Sequence, residues 1–185
     1  MAIREGDRRA ILAVGAALAM LLLASGAARA GASERDLTAL HKSSLIYVAT
    51  VRKDGSQSRS APVWFTISDN NTILIETAPR TWKARRIRRG SPAMVWIGSR
   101  TGPALIAKAE IVSEPAVESQ IAEDYPRKYL LARMGFARPT QQKFSAGQIL
   151  AIRLTPMRDL PDGFRSKPGT PAPPLDEKAE AAASH

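Results

Sequence analysis

The chain has no cysteine among its 185 residues. Disulfides, thiolate catalysis and zinc–thiolate sites are therefore excluded. Histidine is nearly absent too: His185 is the last residue, and His41 falls on a predicted surface helix. Two such residues supply no metal-ligand cluster and no Ser-His-Asp constellation, so the predicted metal content is none. Neither a Walker loop nor a Gly-x-Gly-x-x-Gly fingerprint occurs. Acidic residues are the minority, 17 against 27 Lys and Arg. Four of the Arg and two of the acids fall in residues 1–30, leaving 23 basic and 15 acidic side chains and a formal charge of +8. A surface of that sign attracts anions such as nucleotides, nucleic acid or anionic lipid. An aromatic-basic stacking surface is missing, which counts against nucleic acid as a partner.

The only long uncharged run is Ala10 to Ala28. Arg4, Arg8 and Arg9 precede it, and it ends in Ala28-Arg29-Ala30. A basic start, an apolar stretch and a small-x-small site are the layout of a secretory signal peptide. At 19 residues the run is also long enough for an uncleaved membrane anchor. The expectation is an exported, periplasmic or extracellular protein. Asp7-Arg8-Arg9-Ala10-Ile11-Leu12 resembles a twin-arginine signal, which leaves both export routes open.

Periodicity divides the rest. Ser33 and Asp36 open a short helix carrying Leu37 and Leu40. Strands are expected at Leu45–Val51, Ser58–Ile67, Thr72–Glu76, Ala93–Ile97, Ala104–Val112 and Gly147–Leu154, the last closed by Pro156. Asp54-Gly55 and Ser68–Asn71 are turn signals. Pro115–Gly135 reads as helical with a break at Pro126. Six short strands with inserted helices and tight turns predict a mainly β fold, an antiparallel sheet closed or nearly closed into a barrel, over residues 31–158. Residues 159–185 hold five of the 13 prolines and read as a disordered tail.

The stretch from Arg80 to Arg100 carries the chemistry. Seven of its residues are Lys or Arg and none is acidic. Thr81 is placed to cap a short helix whose first turn contains Lys83, between the third and fourth strands. Free N–H groups and a partial positive charge at a helix start suit a phosphate, so this basic helix reads as a docking site for a phosphorylated cofactor. Helical spacing puts Arg85 and Arg88 on one face and Arg86 and Arg89 on another, so they cannot all point inward.

Four segments resemble the split-barrel flavin-binding proteins related to pyridoxamine 5′-phosphate oxidase. They are Ile46–Ser56, an apolar strand ending in Asp-Gly-Ser; Ala61-Pro62-Val63-Trp64-Phe65; Thr81–Val95, a helix followed by a Pro-containing strand; and Ala107–Val112. The likeness spans about residues 35–158. It implies a six-stranded antiparallel split barrel, a homodimer with two shared clefts, and FMN in each. It also implies Lys83 as phosphate ligand with Thr81 and Arg80 beside it and Arg86 as a further contact. Trp82 would lie near the ring or the dimer contact. Val63, Trp64 and Phe65 would run against the isoalloxazine ring, and Glu76 and Thr77 would meet its polar edge. The family's oxidases of vitamin B6 end in a segment containing Trp and Arg; Gly147–Phe164 here has no Trp, which sets the chain apart from them. The resemblance thus implies an FMN-dependent oxidoreductase acting on an unnamed small molecule. A reductase using the deazaflavin coenzyme F-420 and a non-catalytic flavin or haem sensor are the alternatives; a lone His41 favours haem little.

Overall fold

A computed structural model describes residues 32–175. The expected signal or anchor in residues 1–30 and the last ten residues of the expected tail lie outside that range. The described residues form seven strands: β1 (Ile46–Thr50), β2 (Ala61–Val63), β3 (Thr66–Ile67), β4 (Ile73–Thr77), β5 (Ala93–Ile97), β6 (Ala104–Val112) and β7 (Leu150–Asp159). Five helices accompany them: α1 (Glu34–Lys42), α2 (Trp82–Ile87), α3 (Pro115–Lys128), α4 (Leu130–Arg133) and α5 (Gln141–Ser145). Every strand pair is antiparallel, in the order β2-β1-β5-β6-β7-β4-β3.

The two edge strands, β2 and β3, are consecutive in the chain and separated by Trp64 and Phe65 alone. The segment expected as one strand, Ser58–Ile67, thus serves both edges. Its first half pairs with β1 (Ile46↔Val63) and its second with β4 (Thr66↔Leu74), so the curled sheet closes on itself through the chain. This break is why seven strands stand where six were expected. Leaving the ladder exposes backbone groups that must find other partners. The Tyr129 hydroxyl accepts from the Phe65 N–H and donates to the Phe65 carbonyl, both at 2.8 Å. The Tyr125 hydroxyl donates to the Trp64 carbonyl at 2.7 Å. The end of α3 therefore pins the point where the barrel closes.

Strand alternation sorts the side chains. Ile46, Val48, Ile73, Ile75, Val95, Leu105, Ile152 and Leu154 fill the interior together with Phe65, Leu40 of α1 and Ile87 of α2. Outward-facing Leu74 and Ala151 are covered by Val117, Ile121 and Tyr125 of α3. α3 runs through Pro126 to Lys128 rather than breaking at the proline, and the chain leaves the helix at Tyr129. Proline this close to the end sacrifices one intrahelical bond only. α5 was not expected from the sequence.

The other outer face, Ala49, Met94, Trp96 and Ile106, is covered by the segment expected to be disordered. β7 continues past Pro156 to Asp159, with the proline at an irregularity opposite Ala107, where a ladder tolerates a missing N–H. Leu160 is buried, and the Phe164 ring stacks on Trp96 with centroids 5.9 Å apart. The Trp96 indole N–H donates to the Phe164 carbonyl at 2.9 Å. The expected disorder is thus corrected for residues 160–175. Buried Leu160 and partly buried Phe164 help hold this Pro-rich segment over the apolar face; such a side chain is worth about 1.5–3 kcal/mol when fully buried.

Candidate functional site

α2 has six residues and is oriented by what it buries. Ala84 and Ile87, three apart, face the barrel. Lys83 and Arg86, one position earlier, share the flank turned toward β1 and β2, while Arg85 and Arg88 remain exposed. Thr81 caps the helix: its hydroxyl accepts from the Ala84 N–H at 3.2 Å and donates to the Ala78 carbonyl at 3.0 Å. Its side chain is thereby committed to the turn, and the positive character of the site comes from side chains rather than from so short a helix.

That flank opens on a cavity of about 410 Å³. Val48 and Thr50 of β1, Ala61, Pro62 and Val63 of β2, and Thr77 at the end of β4 form its walls. Four cations line it, Arg52, Arg59, Lys83 and Arg86, and no lining residue is acidic. The Arg86 guanidinium donates to the Thr50 hydroxyl at 3.3 Å. Burial, with the charges of Arg52 and Arg89, pushes its proton affinity down, against a pull from Asp54. Lys83 is half-buried, and burial lowers its ammonium to about 8, partly offset by Glu76. It makes no salt bridge within the described residues; Glu76 acts on it only at longer range. A partly desolvated ammonium among three guanidinium groups, with no carboxylate on the cavity wall, suits an anion.

A second cavity, about 420 Å³, lies against Leu45, Pro62, Val63, Trp64, Glu76 and Ala137. Pro62 and Val63 belong to both, so β2 is their common wall. This one is largely apolar. Trp64 stacks flat on Tyr129, with centroids 4.6 Å apart and planes 9° from parallel. Glu76 is its one ionisable group; burial raises that carboxyl above the usual range, opposed by Lys83 and Lys143. Neighbouring Glu76 and Thr77 alternate between the two cavities, as strand residues must.

Of the residues singled out in the sequence, Thr81, Trp82, Lys83, Arg86, Thr77 and Val63 line the first cavity, and Trp64, Glu76 and again Val63 the second. Phe65 stands apart. Its side chain is fully buried in the barrel and its backbone is held by Tyr129, so it faces neither cavity. Arg80 is exposed and lines neither, because the Ala78–Thr81 turn precedes the helix flank that faces inward. Trp82 is 65% exposed, with the Arg85 and Arg86 guanidinium groups 5.0 and 5.7 Å from its ring centroid. Arg52, Arg59, Thr50 and Ser58 were missed. The signal was the Asp54-Gly55 turn: folding back there brings Val51 opposite Gln57, and both limbs of the turn, with Arg52 and Arg59, reach the cavity.

Known proteins share this architecture. A putative pyridoxamine 5′-phosphate oxidase from Listeria innocua superposes with a TM-score of 0.51 at 16% identity, over 69% of this chain and 96% of its own. A conserved hypothetical protein of Mycobacterium tuberculosis gives 0.51 at 20% identity, over 75% and 93%. A protein of unknown function from Agrobacterium tumefaciens gives 0.52 at 18% identity, over 72% of this chain and 59% of its own. At such identities the likeness is one of fold. No curated protein matches the chain. The sequence profile of one family, described as pyridoxamine 5′-phosphate oxidase, matches residues 33–159, which is the whole barrel from α1 to the end of β7. With the fold, the order of motifs and the profile in agreement, the chain belongs to the pyridoxamine 5′-phosphate oxidase family.

Proposed function

We propose that this protein is an FMN-binding oxidoreductase. The observation that carries the reading is the convergence of Arg52, Arg59, Lys83 and Arg86 on an acid-free cavity that shares β2 with an apolar one. The residues fit the cofactor. A phosphate dianion matches four cations, none of them in a salt bridge among the described residues, and a flat apolar ring matches the wall of Pro62, Val63 and Trp64. Lys83 and Arg86 would hold the phosphate, with Arg52 and Arg59 completing the cradle. Bound FMN supplies hydride chemistry; the chain supplies binding, orientation and field. Glu76 would present a carboxyl, raised by burial above its ordinary value, at the ring end.

The protein acts as a homodimer in this reading. Leu130, Leu131, Met134 and Phe136 are each more than half exposed within seven residues, and Ala137 beside them lines the apolar cavity. Clustered exposed apolar side chains of this kind support an interface. Export, from residues 1–30, completes the proposal.

The test is the visible spectrum of the purified protein and the mass of whatever it releases on denaturation, followed by light scattering. FMN and a dimer are the expected results. Release of coenzyme F-420 would establish the deazaflavin reading, which the exposed Arg85, Arg88 and Arg89 beyond the cavity favour. A protein that neither carries nor takes up a flavin would overturn both. Intact residues 1–30 on soluble cytoplasmic protein would overturn export.

A further inference from the structure

Residues 165–172 form a strap along the back of the Asp54–Gln57 turn, and Gln57 is where they meet. It is 3% exposed, and every polar group it owns is spent on the strap. Its backbone N–H donates to the Thr170 carbonyl at 2.8 Å, and its carbonyl accepts from the Gly169 N–H at 3.0 Å. Its side-chain amide donates to the Pro171 carbonyl at 3.1 Å and accepts from the Lys167 N–H at 3.4 Å. The Ala172 N–H adds a bond to the Gly55 carbonyl at 3.0 Å.

From Gln57 the hydrogen bonds run on to the anion cavity. The Ser58 N–H donates to the Thr50 carbonyl, and the Thr50 N–H donates to the Ser58 hydroxyl, both at 2.9 Å. Thr50 is the residue whose hydroxyl receives Arg86. On the other limb the Arg52 N–H donates to the Ser56 carbonyl at 2.8 Å. We propose that the strap is a positioning element for phosphate binding: through Gln57 it fixes the two limbs that carry Arg52 and Arg59 against Lys83 and Arg86. The inference rests on the anion cavity of the proposed function.

The physical need is plain. Four like charges around one cavity repel when it is empty, and the two on the hairpin, one on each limb, are both exposed. A two-stranded hairpin alone is marginal in water. Pairing its back with the strap adds a third strand-like layer, itself anchored by Phe164 on Trp96 and by Arg158, which donates to the Pro174 carbonyl at 2.9 Å. The strap lines neither cavity; its bonds go to Gly55 and Gln57 of the hairpin that carries Arg52 and Arg59 to the first one.

The test compares FMN with riboflavin, which has the same ring but no phosphate, and pyrophosphate, which asks for the anion cavity alone. Two full-length variants release the strap without altering a cavity residue. Gln57→Leu removes its side-chain bonds. Gly169→Val acts through the backbone, because Gly169 sits at φ +89°, which a β-branched residue resists, with open space where its side chain would go. Amide exchange at Gln57 and Ala172 reports whether the strap has lifted. The expected result is FMN and pyrophosphate binding about tenfold weaker in both variants, as for one charged hydrogen bond lost, with riboflavin affinity unchanged. A lifted strap with FMN and pyrophosphate affinities unchanged would overturn the proposal, as would an equal loss for riboflavin. Should the wild type bind pyrophosphate in a strap-dependent way but neither flavin, the flavin reading fails and the strap's role stands.

Discussion

Replacing Lys83 with Met should move stability and affinity in opposite directions. In the folded protein the Lys83 ammonium loses its proton at about 8, against the ordinary 10.5, because burial opposes its charge. Below that pH the charged form is held at a cost of at most about 3 kcal/mol. Part of the cost is offset by relaxation, and Met also forfeits the attraction of Glu76, so the expected gain at pH 7 is about 1–2 kcal/mol. The sign with pH follows from linkage. Between about 8 and 10.5 the unfolded chain holds the Lys83 proton more tightly than the folded one. This group's contribution therefore rises with pH across that window, and the wild type should catch up with Lys83→Met as pH goes from 8 to 10. Urea denaturation of both apo proteins at pH 7 and pH 10 measures the gap. FMN affinity should meanwhile fall by about 1.5–3 kcal/mol, roughly tenfold to a hundredfold, the worth of a hydrogen bond to a charged group. A site that stores unfavourable charge for its ligand shows both effects. Loss of stability at pH 7 together with unchanged FMN affinity would refute the reasoning, for Lys83 would then be a structural cation.

Tyr129→Phe should cost about 1–3 kcal/mol, because it strips the hydroxyl from the Phe65 N–H at the barrel's closing point and leaves that donor buried; the urea midpoint should fall with the slope unchanged. Thr81→Ala should cost about 1 kcal/mol through the lost cap, whereas Thr81→Ser should be nearly neutral; FMN affinity should fall much less in either than in Lys83→Met, because the Thr81 hydroxyl is engaged with Ala84 and Ala78.

Much of this protein was legible in the chain itself. Alternating residues such as Ile46-Tyr47-Val48 and Met94-Val95-Trp96 state which side chains enter a barrel, because the strand period is a local property. The cap at Thr81 and the acid-free helix after it were equally local, and Lys83 and Arg86 do turn to one cavity. What local pattern could not say is where a strand changes partner. Val63 and Thr66 look like one strand, yet they pair at opposite edges, since only the closed sheet and the hydroxyls of Tyr125 and Tyr129 make a break at Trp64-Phe65 affordable. Phe65 faces neither cavity for that reason, and Arg80 lines neither because a turn, not the helix, carries it. The cavity's other half, Arg52 and Arg59, lies some 25 residues before the helix, and barrel closure alone brings the two together. The ordering of residues 160–175 was likewise invisible. A Pro-rich segment has no hydrophobic period of its own; it is ordered by the Trp96 face and by Gln57, partners more than sixty and a hundred residues away that only the tertiary fold presents.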